Sequence, residues 1–226
     1  MRIRILAGVA VLAAVPWLQG CYQCGNTAYL KALEKVGVEK RDLLVKRVDN
    51  AKEAQEEAQQ QFKDSLEEFK SLVGYDGGAL EAQYEKLRSS YESSRSKADE
   101  VNKRIEGIES VAGKLFSEWE KEIGEFKDAS YKLESQRELR DTKKRVDELV
   151  RTMKKAASRM DPVLAKLNDQ VLFLKHNLNA KALGSLKTTA DSLQVEVSGL
   201  IREMEASINE ANAFIAEMQK QPAASS

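Results

Sequence analysis

Apolar residues recur in alternating steps of four and three along most of this chain, the spacing that lines one face of an α-helix and forms a coiled-coil seam. A first seam runs through Leu44, Val48, Ala51, Gln55, Ala58, Phe62, Ser65, Phe69 and Leu72, in a helix expected from Glu39 to Val73. A smaller set, Tyr29, Leu33 and Val36, predicts a short helix before it, closed by Gly37. Gly74 to Gly78, GYDGG, tolerates left-handed backbone and predicts a tight reversal. The second seam is Leu80, Tyr84, Leu87, Tyr91, Ser94, Ala98, Val101, Ile105, Ile108, Ala112, Leu115 and Trp119, polar only at Ser94.

A third seam joins Val146, Val150, Met153, Ala157, Met160, Leu164, Leu167, Val171, Leu174 and Leu178. It crosses Asp161 and Pro162, a good N-cap followed by a good first helical residue, so a turn is expected there. After Leu178 the steps become four and four through Ala182 to Leu186, a stutter, before the seam resumes from Ala190 to Met218. Between Glu120 and Glu148 the pattern weakens, and pairs four apart such as Asp99 with Lys103, Glu100 with Arg104 and Asp141 with Arg145 support helix. Two architectures remain open. A continuous helix from Ala79 to Met160 would be roughly 120 Å long at about 1.5 Å per residue, whereas a break near Gly124 folds the chain into a compact bundle. The expected class is therefore all-α, either an elongated antiparallel coiled coil or a three- to four-helix bundle of long helices.

Composition agrees with long helices rather than a thick globular core, since 32% of residues are charged and 6% aromatic. The 36 basic residues equal the 36 acidic ones, which gives no general attraction to nucleic acid or to an anionic membrane.

The first residues read as an address. Arg2 and Arg4 precede an apolar run from Ile5 to Leu18, which is shorter than the roughly 20 residues that span a bilayer and matches a signal-peptide core. The sequence LQGC at 18–21 resembles the lipobox of bacterial lipoproteins, with Gln19 a departure at the position usually held by a small or β-branched residue. The resemblance implies that Cys21 carries diacylglycerol and tethers the chain to a membrane. A simple secretory leader or an uncleaved anchor stays open. Tyr22 stands where an Asp often retains lipoproteins in the inner membrane, so the expected address is the periplasmic face of the outer membrane. Cys24 is then a lone thiol, able to cross-link to another chain or merely incidental to a tether. The expected organisation is a signal peptide at 1–20, a lipidated tether at 21–28, a helical domain at 29–219 and a disordered tail at 220–226.

Four segments, EKVGVEKRDLLVKRV at 34–48, AQEEAQQQF at 54–62, LFSEW at 115–119 and DPVLAKLNDQVLFLKHNLNA at 161–180, resemble an uncharacterised family of bacterial coiled-coil proteins catalogued only as a domain of unknown function. The resemblance implies a helical, exported protein of no established activity. Some members carry the label DNA-repair ATPase, which requires a phosphate-cradling GxxxxGK followed by Ser or Thr. The nearest approach here is GIESVAGKL, Gly107 to Leu115, with one residue too many between the glycines, Leu115 in place of the hydroxyl, and no strand before it. Lone His176 cannot assemble a metal site or a triad. No cofactor and no catalytic residue is expected.

The most basic stretch, Arg137 to Arg159, could face anionic lipid or nucleic acid. The blander expectation pairs it with the acidic helix around Glu53 to Glu68 or with a partner helix, and export argues against nucleic acid. Leu172 and Phe173 add an apolar pair outside the seam, at positions that face water in a two-helix coil. They predict either a further helix packed over them or a docking site rimmed by Lys175, His176, Asn177 and Asn179. The function expected is that of a membrane-anchored envelope lipoprotein presenting helical surfaces to another envelope protein or to itself. The alternatives are a lipid-binding or membrane-shaping bundle and, if the leader is misread, a cytoplasmic DNA-associated coiled coil.

Overall fold

In the computed structural model the described residues are 24–75 and 80–220, with side chains from residue 40 onward apart from 180–182. The expected signal peptide, Cys21, the side chain of Cys24, residues 76–79 of the expected reversal and residues 221–226 lie outside them. Five helices follow in order: α1 (Cys24–Val73), α2 (Leu80–Glu125), α3 (Ala129–Ser158), α4 (Met160–His176) and α5 (Ala180–Lys220). There is no strand among the described residues, and the expected all-α class holds.

The seams form the core. All nine members of the first are buried, polar Gln55 and Ser65 included. The second is buried or half-buried throughout, with Leu80, Tyr91 and Trp119 packed at its margins. A two-helix coil needs nothing more. The structure nevertheless buries a second stripe beside each seam, including Ala54, Leu66, Phe116, Leu139, Leu149, Ala156, Val163 and Ile208. An apolar face that wide belongs to a helix with two neighbours. Accordingly α1 packs on α2 and α5, while α3 and α4 each pack between α2 and α5. The diagonal pairs α1 with α3 and α2 with α5 do not touch among the described residues. The result is an up-down-up-down four-helix bundle about 70 Å long, taken from the 46 residues of α2.

The break that decides for the bundle falls at residues 126–128, just beyond Gly124. Gly124 itself stays helical. Asp128 leaves the helical region at φ −79° and ψ 123°, and its carboxylate accepts from the backbone N–H of Ser130 at 2.7 Å and of Tyr131 at 3.4 Å. That is an N-cap, and it starts α3 in the reverse direction.

Three expectations about breaks are corrected. Gly37 does not end a short first helix, because α1 runs unbroken from Cys24 to Val73. The helix thus begins inside the span assigned to the tether. Second, Asp161–Pro162 does not make a turn. The interruption is at Arg159, which keeps right-handed helical angles of φ −78° and ψ −15°. Its cause is still Pro162, which has no N–H for the carbonyl of Ser158 four residues back and crowds that oxygen, and Ser158 is where α3 ends. Since the backbone stays helical, α4 continues the direction of α3. Ion pairs confirm it: Arg145 to Glu217, Lys155 to Glu203 and Lys166 to Glu196 descend steadily along α5. Third, the stutter after Leu178 is a chain reversal between α4 and α5.

Candidate functional site

The reversal at residues 177–179 carries the exposed apolar pair that the sequence singles out. Asn177 ends α4 at φ −137° and ψ 58°, its backbone N–H reaching the Leu174 carbonyl at 3.0 Å. The Asn177 side-chain amide donates to the Phe173 carbonyl at 2.9 Å, satisfying an oxygen that the ended helix leaves without a partner. Asn179 closes the turn through its N–H to the Asn177 carbonyl at 2.9 Å. Lys175 and His176 sit in the last turn of α4, where positive charge meets the negative end of the helix dipole.

On this frame Val171 and Leu174 point into the core, while Leu172 is 47% and Phe173 37% exposed. Among the described residues no fifth column covers them; all four columns are used in closing the core beneath. Lys175, His176 and Asn179 are exposed and Asn177 is half-buried, so the structure gathers the residues of the expected rim at one end of the bundle. Leu178 belongs with them. The seam assigns it to the core, but at the crest of the reversal it is 42% exposed and enlarges the apolar tip. Periodicity could not separate it from a seam residue, since a reversal removes the neighbour that would have buried it.

Elsewhere the chemistry is spare. Gly107 to Leu115 lies in the interior of α2, where backbone N–H groups are consumed by the helix and cannot cradle a phosphate. No group of three His, Cys, Asp or Glu among the described residues is placed to hold a metal ion. No described helix is long and apolar enough to cross a membrane.

Four of the nine cations from Arg137 to Arg159 form ion pairs with described residues, on neighbouring helices and not on the acidic helix around Glu53 to Glu68. Lys154 pairs with Glu109 at 2.6 Å and Lys143 with Glu120, both on α2, and Lys155 pairs with Glu203 at 2.8 Å and Arg145 with Glu217, both on α5. The acidic face of α1 is diagonal to α3 and out of reach. Of the helical pairs expected, Glu100–Arg104 forms at 2.9 Å, whereas Arg145 turns its guanidinium to Glu217.

A family model described as protein of unknown function DUF2959 matches residues 29–218. The chain belongs to that family. The match spans the four helical columns and the apolar tip, and stops short of Cys21. No curated protein and no solved structure matches.

Proposed function

We propose that this DUF2959 member is an exported, lipid-tethered structural protein whose bundle holds an apolar tip away from the membrane for docking to another envelope protein. The observation that supports the reading is one of placement. Helix α1 begins at Cys24, three residues after the cysteine of the lipobox-like LQGC, and Leu172, Phe173 and Leu178 lie at the opposite end of the bundle. An α1 of 50 residues sets the two about 75 Å apart. A diacylated Cys21 would hold one end at the bilayer and leave the other free to meet a partner.

Exposed Leu and Phe on a capped, rigid helix end, ringed by Lys175, His176 and the two asparagines, have the make-up of a small interface core with a polar rim. Rigidity matters here. The tip loses little conformational freedom on docking, because Asn177 and the buried Val171 and Leu174 already fix the last turn of α4.

Palmitate labelling of cells making the full chain, with and without blockade of the lipoprotein signal peptidase, tests the tether. The expected result is a labelled protein in the outer-membrane fraction and a precursor that accumulates under blockade. An unlabelled protein with no precursor would overturn the assignment of Cys21.

A further inference from the structure

Between α1 and α2, on the outer face of the bundle and well away from the tip, lies a groove of about 720 Å³. Its centre is Gly107, where a side chain on α2 would stand over the groove. A Cβ there would lie 3.9 Å from Cδ of Arg47, so the Arg47 stem crosses α2 at the point where α2 has no side chain. The Arg47 Nε is buried and has no hydrogen-bond partner among the described residues. A buried guanidinium nitrogen left in that state costs free energy unless an acceptor arrives.

The surrounding charge is net positive, with five cations against three carboxylates. Lys103 and Lys114 line the same groove, four residues before and seven after Gly107 on α2, and like Arg47 they make no ion pair with any described residue. Two other lining cations are already engaged, Lys40 by Glu118 and Arg104 by Glu100. Glu100 is in turn paired with Arg104 and with Lys97, which lies outside the groove, and these contacts, the Arg104 hydrogen bond first, hold its carboxyl below the usual carboxylate range. Asp99, at the rim, is the one lining acid without an ion pair among the described residues. Three unpaired cations therefore face one unpaired carboxylate.

The walls are not all polar. Leu43 is 40% exposed at the α1 side, and Val111, one turn beyond Gly107, is half-buried against the core. A bare anion would use the cations and leave this strip wet, while an uncharged apolar ligand would leave Arg47 unpaired. We propose that the groove binds an anionic single-chain amphiphile, with its phosphate or carboxylate head on Arg47, Lys103 and Lys114 and the start of its chain along Leu43 and Val111. The guanidinium fork suits the oxygens of such a head, and the volume is in the range of small-molecule sites. This inference is independent of the tip and of the lipid on Cys21.

Calorimetry with dodecyl phosphate, below its micelle concentration, tests it. The expected result is saturable binding at one site, weakened about tenfold or more in Arg47→Met, which keeps the stem and removes the charged donor. Gly107→Leu should abolish binding by filling the groove while the melting temperature holds or rises, because leucine is the better helix former. Arg151→Met, on the outer face of α3, should bind as the parent does. Absence of saturable binding overturns the proposal. So does equal affinity for inorganic phosphate, which would mean a bare anion site, or for dodecyl maltoside, which would mean apolar adsorption. An equal loss in Arg151→Met would reduce the effect to general surface charge and likewise overturn it.

Discussion

Ser207 on α5 donates a hydrogen bond to the side-chain carbonyl of Gln55 on α1 at 2.9 Å, with both side chains fully buried. The same glutamine's Nε2 has no partner among the described residues. A half-satisfied amide in an apolar layer is costly to disturb on one side only. Ser207→Ala should therefore destabilise the bundle by about 1–3 kcal/mol, by leaving both ends of Gln55 unpaired. The double variant Gln55→Leu with Ser207→Ala should recover that loss, since both partners become apolar. Thermal melts followed by circular dichroism check it, and a double variant less stable than Ser207→Ala would refute the argument.

Phe173 and Leu174 are neighbours on α4 with opposite fates, 37% and 0% exposed. Phe173→Asp should leave the melting temperature close to that of the parent, while Leu174→Asp, burying a carboxylate with no partner in the core, should prevent folding. Equal damage from the two would mean that Phe173 is packed inside, against the exposed tip described above.

Much of this fold can be read from spacing alone. The nine positions from Leu44 to Leu72 are all buried because a regular seam must face other helices whatever their number. How many helices face it is harder, and the signal was there: Leu66, Phe116, Leu149 and Val163 lie beside the seams and widen the apolar stripe beyond what two helices can cover. Breaks were less legible. Asp161–Pro162 has the same residues whether the chain turns or merely kinks, and the choice depends on packing of α4 between α2 and α5. Leu178 keeps seam spacing although the chain reverses around it. Of the candidate site, the exposure of Leu172 and Phe173 follows from their place off the seam, whereas the groove beside Gly107 joins residues sixty apart and had no local signature.

The cap on α3 should make stability depend on acid. Hydrogen bonds from the Ser130 hydroxyl, from its backbone N–H and from that of Tyr131 hold the Asp128 carboxyl below its ordinary value of 3.8. A carboxyl depressed in the folded state contributes stability above its unfolded value and loses it as the pH falls through the folded one. The melting-temperature gap between the parent and Asp128→Ala should be largest near neutral pH and shrink below 3.8. Asp128→Asn, which keeps the accepting oxygen and cannot titrate, should retain most of the cap at both ends of that range. A gap that widens in acid would contradict the assignment.

The proposed role requires that the protein meet its partner at the far end of the bundle. In-cell photo-cross-linking of the full chain measures this directly, with a photoreactive phenylalanine analogue in place of Phe173 and, as a control, in place of Val195, which is 68% exposed on α5. The predicted result is a discrete adduct with a second envelope protein from position 173 and none from position 195. No adduct from 173, the same adduct from both positions, or an adduct of the chain only with itself would contradict it.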